Sequence, residues 1–206
     1  MAIFFALLSA LLGVALCHIL RLLDARPVCI FPFDLLSGAL TGALYGYYGL
    51  SWALVLYGVF SVCLCLVSAH DIQSRIVPNA YVLCIAALGV AGMCLSPMPF
   101  LTRLWGLCVA AVPFALAFVC SRGAKMGLGD VKLMAASGFL LGGPLSVIAL
   151  LFALVAAAMA CLILLALQRI QRSDAIAFAP FLSFGLVASL FFGARLIVRF
   201  FPILLF

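Results

Sequence analysis

Between Lys132 and Arg169 the chain carries no charged side chain, and the same holds from Asp34 to Asp71, from Arg75 to Arg103 and from Arg103 to Arg122. Stretches of this kind match the roughly 20 apolar residues that a helix needs to cross the hydrocarbon core of a bilayer. No soluble domain of this size could hide them: 69% of the 206 residues are hydrophobic, 8% are charged, and mean hydropathy is +1.45. The sequence therefore predicts an all-α, polytopic membrane helix bundle of about eight transmembrane helices, forming a single domain over residues 1–206. Net charge is +6, but the basic residues are scattered over short loops. Nucleic acid would need a clustered basic face, so it is not an expected partner, whereas membrane lipid is.

Span 1 is expected over residues 2–23, ending in Arg21, Asp24 and Arg26. It lacks the basic start and the small-residue cleavage site of a signal peptide, so it reads as a retained span. Leu16 before Cys17 also fits a lipoprotein site poorly. Span 2, residues 33–50, carries Gly38, Gly42 and Gly46 at four-residue intervals on one face. That face reads as a packing seam, serving either the bundle or a homo-oligomer. Span 3 runs from Trp52 to about Ala69, span 4 from 79 to 95 behind Pro78, and span 5 from 102 to 120. Span 6, from Asp130 to Gly142, has 13 residues. At 1.5 Å per residue it reaches only about 20 Å, so either the bilayer thins there or the helix begins beside a wet cavity. Spans 7 and 8 are expected over 144–168 and 178–200.

Orientation follows from the basic residues. With the N-terminus outside, the inner loops hold Arg21, Arg26, Arg75, Arg122, Lys125, Lys132, Arg169 and Arg172, and the outer side holds Arg103, Arg195 and Arg199. The five acids, Asp24, Asp34, Asp71, Asp130 and Asp174, then all fall at the inner face. Nine cysteines are present without a Cys-x-x-Cys pair, and most lie in apolar runs. No metal site, cofactor or disulfide is expected from that spacing.

Asp71 closes an inward-running span and Asp130 opens an outward-running one. Taken singly, each has a plainer account, as an interfacial residue or a helix N-cap. Together on one face, two carboxylates sharing a proton can hydrolyse a peptide bond, one activating water and the other protonating the carbonyl oxygen. Gly127 and Gly129, just before Asp130, could expose backbone to an extended substrate. His18 lies within span 1, and His70 has no evident serine or cysteine partner. From the helix dipoles, Asp130 at a helix start is expected to be the ionised base and Asp71 at a helix end the protonated acid.

These motifs resemble those of the type IV prepilin peptidases, a family that includes the archaeal preflagellin peptidases. Asp71 with Pro78-Asn79 resembles the first aspartate motif, and Gly127-Leu128-Gly129-Asp130-Val131-Lys132-Leu133 the second. Phe31 to Gly38 and Ala179 to Gly185 add supporting matches, so the likeness covers about residues 30 to 190. Val77 stands where many relatives have isoleucine or leucine. The resemblance implies catalytic roles for Asp71 and Asp130. It also implies cleavage of basic leaders from pilin-like or pseudopilin precursors, after a glycine, at the cytoplasmic face of the bacterial inner membrane. Lys132, with Lys125, could contact the substrate, and Pro78, Pro180 and Phe181 could shape its site. Asp24, Asp34 or Asp174 could receive a basic leader, although pairing with local arginines explains them as well. Bifunctional members carry a cytoplasmic zinc/methyltransferase insertion with two Cys-x-x-Cys pairs after span 1. Here about nine residues separate spans 1 and 2 and Cys29 stands alone, which fits the peptidase-only form and speaks against methyltransferase activity.

Two other readings compete. Presenilin-like or signal-peptide-peptidase-like proteases share Gly-x-Gly-Asp, but they carry Pro-Ala-Leu near the end, where this chain has Ala179-Pro180-Phe181. A transport or assembly subunit predicts charges along the interior of several spans.

Overall fold

The structure, a computed structural model, describes residues 33–96, 98–122, 127–168 and 177–200, with positions 11, 14 and 15. Expected span 1 lies outside the described residues apart from those three positions, as do Asp24, Lys125, Arg169, Arg172 and Asp174. Within the described residues the chain is all helix. In order come α1 (Phe33–Tyr48), α2 (Trp52–Ser74), α3 (Asn79–Leu95), α4 (Phe100–Cys120), α5 (Leu128–Leu141), α6 (Gly143–Ala166) and α7 (Ala179–Phe200). Four of them, α2, α4, α6 and α7, are long and apolar enough to cross a membrane.

Local chemistry sets the ends. Ser51 caps α2, its hydroxyl accepting from the Leu54 N–H. Arg75 closes the same helix in the left-handed conformation (φ 52°), its N–H donating to the Asp71 carbonyl. Gly142 (φ 79°) ends α5 and starts α6, a backbone turn that a side chain would resist. Pro144 in the first turn of α6 has no N–H to offer where none is needed.

Helix α2 is the axis of the bundle: every residue from Phe60 to Asp71 is buried. A helix apolar on all sides belongs inside. It packs against α1, α3 and α7, while α5 packs against α3, α4, α6 and α7. Thus α3 and α7 flank both aspartate-bearing helices. In the core, Phe60, Leu64 and Leu66 of α2 share one apolar cluster with Leu133 and Met134 of α5 and Leu182 and Leu186 of α7.

Two close backbone approaches are made by glycines outside the expected seam. A methyl group on Gly106 of α4 would collide with the Gly138 carbonyl of α5, and one on Gly185 of α7 with the backbone of Ala149 and Ala153 in α6. At Gly46 it would meet nothing within 4 Å, so the seam drawn through Gly38, Gly42 and Gly46 does not continue to Gly46. Small residues let helices approach where dispersion, not water exclusion, drives packing.

Arg103, expected on the outer side of the membrane, is buried. Its Nη2 donates to the Gly92 carbonyl at 2.7 Å and its Nη1 to the Leu140 carbonyl at 3.4 Å. The physical reason lies in the end of α5: Leu140 is in its last turn, and the turn at Gly142 leaves that carbonyl without a helical donor. The guanidinium supplies that donor and places positive charge at the C-terminal ends of α3 and α5, where the dipoles favour it. Arg103→Met is expected to cost about 3 kcal/mol, read as a lower thermal midpoint in detergent. Arg103→Lys, which keeps charge but not the fork, should recover part of it.

Candidate active site

Asp71 sits in the last turn of α2 and Asp130 in the first turn of α5; both are buried, at 6% and 8% exposure. Helix α2 runs five residues beyond the expected end at Ala69, so His70 and Asp71 are helical rather than in the following loop. Helix α5 starts two residues before the expected Asp130. Gly127 is therefore the N-cap residue and Gly129 lies inside the first turn, not in an open loop.

The turn after α2 clasps the start of α5. A methyl group on Gly129 would stand 2.8 Å from Cβ of Val77, so only glycine lets this turn lie flat against the helix. Next to it, Lys132 Nζ meets Oδ1 of Asn79, the first residue of α3, at 3.4 Å. Pro78 is the N-cap of α3, with φ −65° fixing the direction in which the turn leaves. Asp71 in the last turn of α2 and Asp130 in the first turn of α5 thus lie at the same end of the bundle, beside this clasp. Gly127 leaves the other side of Asp130 clear: a methyl group there would lie 4.0 Å from Oδ2.

Gly129→Ala tests the clasp directly. Pushing Val77 away misplaces Asp130 relative to Asp71, and misplacement of about 1 Å can cost about 100-fold in rate. Val77→Gly in the same chain should restore part of that loss in a cleavage assay, because it removes both colliding atoms, Cβ and Cγ2, whereas Val77→Ala keeps the nearer one.

A third element reaches Asp71, the start of α7, where the resemblance sets Pro180 and Phe181 but gives no donor to Asp71. The N-terminus of α7 points at Asp71: the Ala179 N–H donates to Oδ2 at 2.9 Å, with the Phe178 N–H beside it. Pro180, the next residue, has no N–H and stands in the wall of an adjoining cavity. Phe181 turns toward the Phe178 ring, 6.4 Å away between centroids. Oδ1 of Asp130, by contrast, is buried with no hydrogen-bond partner among the described residues. His70 is buried with its ring tilted on Tyr81, 5.6 Å between centroids.

Two buried carboxyl groups at one end of the bundle, one held by backbone donors and one with an oxygen that has no partner among the described residues, are groups suited to general acid–base chemistry. Comparison with known proteins points the same way. The profile of the type IV leader peptidase family matches residues 58–165, which include both aspartates. Two curated relatives, the prepilin leader peptidase/N-methyltransferases of Burkholderia pseudomallei strains 1026b and K96243, are each 32% identical over 170 residues. The matched region is 78% of this chain and 53% of each relative, so the chain spans about half the length of the curated relatives it matches. No solved structure matches. On the strength of the matching profile, the chain belongs to the type IV leader peptidase family.

Proposed function

We propose that this protein is a membrane aspartyl endopeptidase that removes the leader from type IV prepilin or pseudopilin precursors, with Asp71 and Asp130 as its catalytic pair. The observation that carries this reading is the clasp of Val77 on Gly129, which brings a carboxyl group from each of two distant segments to one end of the bundle. The chain would cross the bacterial inner membrane eight times, with this end at the cytoplasmic face. The excess of basic residues in the corresponding loops supports that orientation. Membership of the family and likeness to named prepilin leader peptidases support the substrate class.

The hydrogen bonds favour a division of labour opposite to the one the α2 and α5 dipoles suggest. Asp71 accepts a backbone N–H from the start of α7, a charge-assisted bond that suits a carboxylate. Asp130 has a buried oxygen with no partner among the described residues, a costly place for charge but a suitable one for a carboxylic acid awaiting substrate. In this mechanism Asp71 takes a proton from water as the oxygen attacks the scissile carbonyl carbon. Asp130 gives its proton to the carbonyl oxygen. The tetrahedral intermediate then collapses: the carbonyl re-forms, returning its proton to Asp130, the C–N bond breaks, and the amide nitrogen leaves with the proton that Asp71 had taken. Lys132, anchored on Asn79, stands beside the clasp, where its ammonium can meet substrate carbonyls.

The test is a cleavage assay. Membranes containing the chain are incubated with candidate prepilin and pseudopilin precursors, and the new N-termini are sequenced. A cut that removes the leader supports the reading; intact precursors throughout would overturn it.

A further inference from the structure

Two thiols meet inside the bundle, away from the aspartates and outside the hydrolytic chemistry. The Cys63 thiol of α2 donates to Sγ of Cys84 in α3 across 3.6 Å. Both cysteines are in the reduced form, Cys63 fully buried and Cys84 half-buried. They stand 21 residues apart in the chain, and it is the packing of α2 on α3 that brings them together. A disulfide holds its sulfurs at about 2.05 Å, so a further approach of about 1.5 Å closes the bond.

Their depth decides which oxidant can reach them. Cys63 lies eight residues before Asp71 on α2, and Cys84 five residues beyond Asn79 on α3. At 1.5 Å per residue these are about 12 Å and about 7.5 Å of helix from the end that carries the aspartates. In the proposed orientation that depth lies within hydrocarbon, which a water-soluble disulfide does not enter. Cys84 is only half-buried and adjoins the exposed Leu83, so a lipid-soluble oxidant has a way in.

A bond here would join the two arms that hold the clasp. Between Cys63 and Cys84 come Asp71, the turn whose Val77 lies against Gly129, and Asn79, which meets Lys132. That turn has no slack, since even a methyl group on Gly129 would collide with Val77. Drawing the arms together shifts the turn on α5, and misplacement of about 1 Å at reacting groups can cost about 100-fold in rate.

We propose that Cys63 and Cys84 form an oxidisable pair, at which a lipid-soluble oxidant of the quinone class makes a disulfide between α2 and α3 and slows cleavage. Two S–H bonds break and one S–S bond forms. The two electrons and two protons pass to the quinone, which leaves as the quinol. A dithiol reductant reverses the step by thiol–disulfide exchange. The effect on cleavage rests on the proteolytic reading; the bond itself does not.

The experiment uses the full chain in membranes, treated with decylubiquinone, a fully substituted quinone to whose ring a thiol does not add. Remaining thiols are then alkylated, the protein is digested, and linked peptides are identified by mass. The expected product joins Cys63 to Cys84. It should persist in Cys65→Ala, which changes the buried cysteine two residues away, and be absent from Cys63→Ala and Cys84→Ala. Oxidation should slow precursor cleavage about 10-fold or more in the unaltered enzyme. Dithiothreitol should restore the rate, and Cys84→Ala should keep its rate throughout. Should Cys63→Ala fail to fold, Cys84→Ala, at the half-buried position, carries the control. Folded enzyme in which no such link forms would overturn the proposal, and so would a linked enzyme that cuts at the unaltered rate. An enzyme that cuts no precursor before oxidation overturns the proteolytic reading and the effect on cleavage with it, while the linked peptides still decide the bond.

Discussion

Asp71→Asn and Asp130→Asn are each expected to slow precursor cleavage by about 100- to 10,000-fold, the range for loss of a positioned proton donor or acceptor. Both replacements keep the shape of the site. In Asp71→Asn the new amide can still accept the Ala179 N–H through its carbonyl oxygen, but it cannot take a proton from water. In Asp130→Asn the new amide can donate a hydrogen bond to the scissile carbonyl, but it cannot deliver the proton that the tetrahedral intermediate needs. Because the two groups act as a unit, the double variant should be about as slow as the slower single one rather than slower by the product of both losses. Infrared spectra separate the roles. The protonated-carboxyl band of the site should vanish in Asp130→Asn and persist in Asp71→Asn, whereas the reverse pattern would give the proton to Asp71. Variants that keep the unaltered rate while remaining folded would move the chemistry away from this pair.

Much of this architecture could be read from the sequence where punctuation is local. Helix α3 begins and ends at the expected residues, 79 and 95, because Pro78 and Ser96-Pro97 mark its two ends within a few residues. Helix α2 outran its expected end because a polar residue at a membrane surface does not stop a helix; the left-handed Arg75 does. The direction of their spans was enough to expect the two aspartates at one end of the bundle. Their hydrogen-bond partners could not be expected in that way. The donor to Asp71 comes from Ala179, 108 residues away, and no pattern around Asp71 announces it. That one contact is the ground for proposing the opposite of the proton assignment that the dipoles of α2 and α5 alone suggest. The burial of Arg103 was hidden for a similar reason: its placement on the outer side came from charge alone, and the Leu140 carbonyl that it meets belongs to the last turn of a helix 37 residues away. Val77 stood out in the sequence only as a difference from many relatives, and its contact with Gly129 is visible only in the structure.

Gly106→Ala and Gly138→Ala are each expected to break the α4–α5 seam, with a loss of about 3 kcal/mol or more. Two glycines facing each other are hard to recognise in the sequence: Gly106 follows Trp105 in an otherwise ordinary apolar run, and Gly138 lies in the shortest of the described helices. In the structure each backbone carbonyl occupies the space that the other residue's methyl group would need. A methyl on Gly106 would also stand 2.8 Å from Cα of Gly142, and one on Gly138 would stand 2.7 Å from Cβ of Ala110. The colliding atoms are largely backbone, which cannot rotate away as a side-chain tip can, so the helices must separate. Separation would also pull α4 away from α5, weakening the reach of Arg103 to the Leu140 carbonyl and so the C-terminal end of the helix that carries Asp130 in its first turn. The expected readout is a lower thermal midpoint in detergent with parallel loss of cleavage, larger for either variant than for Gly46→Ala, where the new methyl meets open space. If Gly46→Ala proved the most damaging of the three, the tight seam would have to run along α1 after all, and the placement of α5 in the bundle would need to be redrawn.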